Sequence, residues 1–137
     1  TIDNLKELEA KFGVIPAANQ VEFHPYHYQK DLLEYCNSKN IIIEAYSPLV
    51  HAKRMDEERL VAISEEMSKT PAQILIRWAI QRGMVVLPKS VNENRIIENF
   101  AVFDFEISDS LMKRLDDLDE RYVTCWDPHN PPPYAPV

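Results

Sequence analysis

One apolar run near the middle of the chain decides the fold: Ile41-Ile42-Ile43-Glu44-Ala45-Tyr46-Ser47-Pro48. Three consecutive β-branched residues favour a strand. So continuous an apolar run is typical of a strand covered on both faces, as in a parallel sheet. Pro48 ends the strand because proline has no N–H to donate to a neighbouring strand. The run therefore predicts a buried parallel strand that ends at Ser47.

Two further runs have the same character, and helical patterns separate the three. Residues 17–23 form a short strand pattern that stops at His24-Pro25-Tyr26, and residues 84–87 form another that stops at Pro88. Thr70-Pro71-Ala72-Gln73 combines an N-cap, a proline in the first turn and a capping box, so it marks the beginning of a helix. Apolar residues at helical spacing predict helices over residues 2–12, 28–38, 56–69, 70–82 and 93–100, and a last helix after Ser108.

Strands that alternate with helices predict an α/β fold with a parallel sheet. Three parallel strands leave two open edges, whereas a closed (β/α)8 barrel needs about 250 residues. We therefore expect the 137 residues to form part of a TIM barrel, with about three parallel strands and flanking helices. We expect this domain to cover residues 1–121, and an irregular, proline-rich tail to follow over residues 122–137.

Composition and charge exclude several classes of protein. Apolar residues make up 45% of the chain and charged residues 27%, as in ordinary globular proteins. The net charge of −7 argues against binding to nucleic acid or to an anionic membrane through the overall field. No apolar run approaches the ~20 residues that span a bilayer, and the first residues do not resemble a signal peptide. With only two glycines, the chain contains neither a Rossmann nor a P-loop glycine motif.

Cysteine and histidine positions give no sign of a metal site. Cys36 and Cys125 lie far apart and match no metal-binding spacing. His51 and His129 lie in expected loops and offer no ligand spacing either. We therefore expect no metal, reduced thiols and a cytoplasmic location.

The most informative stretch for a binding site is Lys89-Ser90-Val91-Asn92-Glu93-Asn94-Arg95. The third strand delivers Lys89 and Ser90 to the beginning of a helix, where free backbone N–H groups favour an anion. Arg95 lies in the first turn and can bind phosphate oxygens with its planar guanidinium group. These residues suit a phosphate group with several free oxygens. A solvated corner between strand and helix explains them about equally well.

Four other residues have two interpretations each. Tyr46, at a strand end, could stack on an aromatic ligand, although packing at the rim is the more frequent role. Gln20, in an otherwise apolar strand, either reaches across the sheet or meets a polar ligand. His24 is a candidate acid or base, but a histidine beside aromatic residues is more often packed than catalytic. Glu44 could act as a general base, and we favour a contact with a lysine of a neighbouring strand.

Three motifs, in this order, resemble the aldo-keto reductase family. They are Asn19-Gln20-Val21-Glu22-Phe23-His24-Pro25-Tyr26, then Glu44-Ala45-Tyr46-Ser47-Pro48-Leu49, then Leu87-Pro88-Lys89-Ser90-Val91 followed by Arg95, Glu98 and Asn99. The resemblance covers residues 1 to about 127. The family fold is a (β/α)8 barrel that binds NADPH without a Rossmann domain. The resemblance implies that this chain corresponds to the carboxyl-terminal part of the barrel, with strands six to eight.

The resemblance also implies which residues would bind NADPH. Gln20 would hydrogen-bond the nicotinamide carboxamide, and Tyr46 would stack on the nicotinamide ring. Ser47 and Leu49 would line the path of the pyrophosphate. The residues that would hold the adenosine 2′-phosphate are Lys89, Ser90, Val91, Asn92 and Arg95, and those at the adenine end are Glu98 and Asn99.

The family's catalytic Asp, Tyr, Lys and His lie on earlier strands. No residue of this chain matches them, so the resemblance assigns no catalytic residue here. The segment 50–55 is also shorter than the loop that closes over the pyrophosphate in the family. Two aromatic residues of the tail, Trp126 and Tyr134, would belong to the substrate rim or, about equally, to a loosely ordered tail.

Two functions follow as hypotheses. The first is an NADPH-dependent oxidoreductase that reduces aldehydes or ketones to alcohols, with this chain as its cofactor-binding half. Its partners would be a small carbonyl substrate and the missing amino-terminal half or a second copy of the chain. The alternative is a non-catalytic truncated paralogue that binds a nucleotide or acts as an interaction protein. A longer reading frame upstream of Thr1 would support the enzyme.

Overall fold

A computed structural model describes residues 1–126 and shows the expected alternation of helices and strands. The helices are α1 (Ile2–Phe12), α2 (Lys30–Ser38), α3 (Glu58–Met67), α4 (Pro71–Gln81), α5 (Glu93–Phe100) and α6 (Asp109–Asp116). The strands are β1 (Ala18–Glu22), β2 (Ile42–Tyr46) and β3 (Val85–Leu87), and a 3₁₀ turn spans Val50–Ala52. The predicted order of elements is confirmed. No helix in this part of the chain is long and apolar enough to cross a membrane.

The three strands form one parallel sheet in the order β1-β2-β3. Gln20 pairs with Glu44 and Glu22 pairs with Tyr46, while Tyr46 pairs on its other side with Leu87. The carboxyl ends of the strands therefore lie side by side, at the edge where parallel α/β folds place their binding sites. The predicted parallel sheet with flanking helices is confirmed.

Helices cover one face of this sheet, and no element among residues 1–126 covers the other. Ile43 and Ala45 of β2 are buried, whereas the side chain of Ile42 is 51% exposed. Val85 and Leu87 of β3 are exposed on the same side as Ile42, because alternate residues share a face. The prediction that the runs at residues 41–47 and 84–87 form buried strands was therefore wrong for one face of β2 and β3, because the described residues supply helices to the other face only. We call the uncovered side the open face.

The core lies between the covered face of the sheet and the helices. Trp78 of α4 is fully buried, and its ring centroid lies 6.1 Å from that of Phe23 and 5.3 Å from that of Tyr28. Its indole N–H donates to Asp116 Oδ1 at 2.8 Å, which ties α4 to α6. Such aromatic pairs add to the free energy of burial because ring edges and faces attract each other. This packing fixes the position of α4 against the sheet.

The predicted capping box at the beginning of α4 is present. Thr70 Oγ1 accepts a hydrogen bond from the Gln73 N–H at 3.3 Å, and Gln73 Oε1 accepts from the Thr70 N–H at 3.0 Å. The Thr70 hydroxyl also donates to Glu98 Oε1 at 2.8 Å. The cap therefore links the beginning of α4 to α5, and both helices line a groove beside the carboxyl ends of the strands.

Candidate functional site

A groove of about 610 Å³ lies beside the carboxyl ends of β2 and β3. Its walls come from the turn after β2, the beginning of α4, the residues after β3, and α5. Parts of the chain that are distant in sequence therefore meet at one opening. The predicted site residues that line it are Leu49, Lys89, Ser90, Arg95, Glu98 and Asn99.

Lys89 and Arg95 give this groove its positive charge. Both side chains are exposed, and neither forms an ion pair with another residue among residues 1–126. Arg54, by contrast, is paired with Glu120 at 3.2 Å. The groove therefore offers two cations to a ligand, and charged donors bind phosphate oxygens more strongly than neutral ones.

The residues between β3 and α5 are held by their own hydrogen bonds. Asn92 is the N-cap of α5, and its Oδ1 accepts from the Arg95 N–H at 3.1 Å. Ser90 Oγ in turn accepts from the Asn92 N–H at 3.1 Å. The structure places Ser90 in the wall of the groove, while Val91 and Asn92 are exposed outside it. These contacts fix the beginning of α5 next to Lys89.

Tyr46 and Gln20 lie on the open face of the sheet. Burial raises the pKa of the half-buried Tyr46 phenol, and the neighbouring Cys125 and Glu22 raise it further. Gln20 Nε2 donates to Glu44 Oε2 at 3.0 Å, so Gln20 reaches across the sheet, which was one of its two predicted interpretations. Glu44 was expected to contact a lysine of a neighbouring strand, but its partner is the Gln20 amide, because Gln20 of β1 lies directly opposite Glu44 of β2.

The turn after β2 has left-handed backbone at four residues. Ser47, Val50, His51 and Ala52 have φ angles of 51°, 53°, 51° and 60°. This conformation costs roughly 1–2 kcal/mol for residues other than glycine, asparagine and aspartate, and Val50 is β-branched. Strained residues of this kind cluster at ligand sites. The sequence predicted only a loop here, since none of these residue types signals a left-handed turn.

A buried carboxylate anchors the chain after α6 to the end of β1. Glu22 is 4% exposed and accepts from the Thr124 N–H at 2.7 Å and the Cys125 N–H at 3.2 Å. The Thr124 hydroxyl donates to the same carboxylate, and His24 Nε2 lies 3.1 Å from Glu22 Oε1. Burial raises the pKa of Glu22, but the hydrogen bonds from His24, Thr124 and Cys125 outweigh it and lower the pKa to about 2. His24 itself is 1% exposed, which confirms its packed interpretation.

Sequence reasoning gave no role to two residues that meet beside the groove. His51 lines the groove, and its Nε2 lies 3.0 Å from Ser47 Oγ. Cys125 Sγ lies 3.6 Å from the same oxygen and 3.8 Å from His51 Nε2. His51 and Cys125 are 74 positions apart, so no motif could have joined them.

The tail is only partly described. Residues 122–126 contain no helix or strand, and Trp126 is 41% exposed. Tyr134 and His129 lie outside the described residues, so the substrate rim stays a prediction. Within residues 1–126, no group of three or more His, Cys, Asp or Glu side chains could hold a metal ion.

A family model described as the aldo/keto reductase family matches residues 1–120, which is most of the chain. The chain belongs to the aldo/keto reductase family. The resemblance drawn from the three motifs is therefore confirmed.

Curated relatives of this aldo/keto reductase chain are oxidoreductases. The chain is 48% identical over 121 residues to the uncharacterized oxidoreductase C2F3.05c of Schizosaccharomyces pombe, and it is 45% identical over 122 residues to glyoxal reductase of Bacillus subtilis. Each match covers 88% of this chain and 44% of the relative. The chain thus spans less than half the length of these relatives.

Solved structures of the family superpose closely on the described residues. A Gox0644 mutant in complex with NADPH gives a TM-score of 0.83 at 37% identity and covers 88% of this chain and 45% of that one. The aldo-keto reductase MGS-M4, from a Medee basin deep-sea metagenome library, gives 0.84 at 36% identity, with 88% and 46% covered. These neighbours are TIM barrels, so the predicted fold class, a partial TIM barrel, is confirmed.

Proposed function

We propose that this chain supplies the dinucleotide-binding side of an NADPH-dependent oxidoreductase that reduces aldehydes or ketones to alcohols. The observation that carries the proposal is the groove in which Lys89 and Arg95 lie without carboxylate partners beside the beginning of α5. Gox0644, a structural relative, is crystallised with NADPH, and a curated relative is named glyoxal reductase. Together these observations favour an anion site at residues 89–95 over a solvated corner.

The adenosine 2′-phosphate would lie between Lys89 and Arg95. A guanidinium group can donate two parallel hydrogen bonds to phosphate, and the Lys89 ammonium and Ser90 hydroxyl can donate to its remaining oxygens. Val91 and Asn92 would contribute by placing the first turn of α5, whose N–H groups favour negative charge. Glu98 and Asn99, which line the same groove, would contact the adenine end.

The nicotinamide would lie on the open face of the sheet. Tyr46 offers a flat ring for stacking, and the Gln20 amide can hydrogen-bond a carboxamide through its carbonyl oxygen while its Nε2 holds Glu44. Ser47, which follows Tyr46, and Leu49, in the groove wall, connect the two ends of the site. NADPH supplies the hydride. The proton donor would come from the earlier strands of the barrel, because no residue of this chain matches the family's catalytic residues.

The proposal includes a partner that completes the barrel. β1 and β3 are the edge strands of the described sheet, and apolar side chains of β2 and β3 are exposed on its open face. Stable proteins cover apolar surface and strand edges of this kind. The remaining β/α units, or a second copy of the chain, would cover them, and a small carbonyl compound would be the substrate. Further exposed apolar residues on and next to α5 are Val91, Ile96, Ile97, Phe100 and Phe103.

A cytoplasmic location is also part of the proposal. Cys36 and Cys125 are both free thiols. Thiols stay reduced in the cytosol, whereas oxidising compartments favour disulfides.

A second candidate is a non-catalytic protein that binds a nucleotide. Two observations favour it. Residues of this chain alone line the cationic groove, and no residue of the chain matches the family's proton donor. The two candidates share the dinucleotide site and differ in whether turnover ever occurs.

Two measurements separate these candidates. We expect the 137-residue chain to bind NADPH in a fluorescence titration and, lacking matches to the catalytic residues, to leave the NADPH absorbance unchanged when an aldehyde is added. A chimera that joins the amino-terminal part of the Bacillus subtilis relative to this chain should oxidise NADPH with glyoxal. A folded chimera that binds NADPH without turnover would favour the second candidate. Failure of both proteins to bind NADPH would contradict both candidates, and turnover by the chain alone would contradict the absence of catalytic residues.

A further inference from the structure

Three side chains with chemically useful atoms meet at the carboxyl end of β2. Cys125 Sγ lies 3.8 Å from His51 Nε2 and 3.6 Å from Ser47 Oγ, and Ser47 Oγ lies 3.0 Å from His51 Nε2. Thr124 Oγ1 is a further neighbour of the sulfur at 3.9 Å. A thiol within reach of an imidazole nitrogen is the arrangement that activates cysteine as a nucleophile.

The two reacting residues are held by separate parts of the fold. The Cys125 N–H donates to the buried carboxylate of Glu22 at 3.2 Å, and the preceding Thr124 N–H donates to it at 2.7 Å. His51 belongs to the left-handed turn after β2, which brings its ring back towards Ser47. The contact between sulfur and imidazole is therefore set by the fold.

The second cysteine provides a contrast within the same chain. Cys36 is fully buried in the core, and burial raises the pKa of its thiol although Asn19 Nδ2 lies within hydrogen-bond reach of the sulfur, 4.0 Å away. Cys125 is exposed, so a reagent in solution can reach its sulfur. Because the thiolate is the reactive form, access and a neighbouring base both favour reaction at Cys125.

We propose that Cys125 and His51 form a nucleophile–base pair that is a covalent modification site for soft electrophiles, such as α,β-unsaturated carbonyl compounds. His51 Nε2 accepts the proton as the S–H bond breaks. The sulfur then forms a bond to the β carbon, and the π electrons of the alkene shift towards the carbonyl. His51 returns the proton to the α carbon, so the adduct contains all atoms of both reactants and needs no oxidant.

The adduct would have a consequence for the dinucleotide site. It would lie beside Ser47, on the proposed path of the pyrophosphate, and would therefore obstruct NADPH. This consequence rests on the proposed function, whereas the reactive pair rests only on the contacts among Ser47, His51 and Cys125.

The test follows alkylation of the native chain by acrylamide, with peptide mass spectrometry to separate the two cysteines. We expect Cys125 to react at least about tenfold faster than Cys36, and His51→Asn to slow the reaction of Cys125 by about tenfold or more. Asparagine is the chosen replacement because it tolerates the left-handed backbone at position 51 and cannot act as a base. Cys125→Ser is the control that removes the labelled peptide.

Two outcomes would overturn the pair. The first is that Cys125 is alkylated as fast in His51→Asn as in the native chain. The second is that Cys125 is alkylated no faster than Cys36. If the variant fails to fold, carbethoxylation of the exposed imidazoles of the native chain replaces it. Slower alkylation of Cys125 after that treatment supports the base, and an unchanged rate contradicts it. NADPH binding by the alkylated chain is measured separately, so that a failure of the proposed function is distinguished from a failure of the pair.

Discussion

Replacing Arg95 with alanine is expected to weaken NADPH binding by roughly 10- to 100-fold and to change NADH binding by no more than about threefold. Hydrogen bonds to charged groups contribute about 1.5–3 kcal/mol, and each 1.4 kcal/mol corresponds to about tenfold in affinity. NADH lacks the 2′-phosphate, so the guanidinium group has no matching anion when NADH is bound. Fluorescence titration of both dinucleotides against the native chain and the variant provides the comparison.

Arg114→Ala is the matched control for this prediction. Arg114 is an exposed arginine of α6 that pairs with Glu66 at 2.7 Å, away from the groove. Replacing it removes the same charge from the chain without changing a residue of the groove. Surface charges act weakly at a distance, so the affinities for both dinucleotides should stay within about twofold of those of the native chain. Equal weakening of NADPH and NADH by Arg95→Ala would contradict a role in binding the 2′-phosphate.

Replacing Glu22 with glutamine is expected to lower the free energy of unfolding by about 2–3 kcal/mol at neutral pH. The N–H groups of Thr124 and Cys125 donate to different oxygens of this carboxylate, so the glutamine NH₂ group would face one of them and leave that buried donor without an acceptor. Urea unfolding followed by tryptophan fluorescence measures the change. Glu7→Gln, at an exposed carboxylate of α1 that pairs with Lys11, is the control and should leave stability unchanged.

The same carboxylate gives the stability a defined dependence on pH. The pKa of Glu22 is lowered from 4.5 to about 2 in the folded chain, so the folded state binds this proton less readily than the unfolded state. Its contribution, up to about 3 kcal/mol, is complete above pH 4.5 and is lost as the pH falls towards 2. The difference in stability between the native chain and Glu22→Gln should therefore shrink over that interval. A difference that stays constant with pH would contradict a charged, hydrogen-bonded Glu22.

Local signals explain why the order of elements could be predicted. The apolar runs at residues 41–47 and 84–87 and the capping box at residues 70–73 depend only on neighbouring residues, and the structure has strands at both runs and the cap at the beginning of α4. The exposure of Ile42 could not be predicted, because the run of β-branched residues specifies a strand and not what covers it. Which faces of a partial barrel are covered depends on elements beyond the run itself.

Part of the candidate site could likewise be predicted from the sequence, and part of it could not. The segment 89–95 is continuous in sequence, so an anion site could be predicted there from the sequence, and the structure places Lys89, Ser90 and Arg95 in the wall of the groove. The contact of Glu22 with Thr124 joins residues 102 positions apart, and the meeting of His51 with Cys125 depends on a left-handed turn. Neither contact has a sequence signal, since each arises only when the chain after α6 returns to the ends of β1 and β2.

Titration of the 137-residue chain with adenosine 2′,5′-bisphosphate, followed by backbone amide NMR shifts, tests the central claim most directly. We expect the largest shifts at Ser90 to Arg95 and at Asn99, and an affinity at least about tenfold higher than that for adenosine 5′-monophosphate. Equal affinities for the two nucleotides, or shifts confined to residues away from this groove, would contradict the assignment of the groove as a 2′-phosphate site.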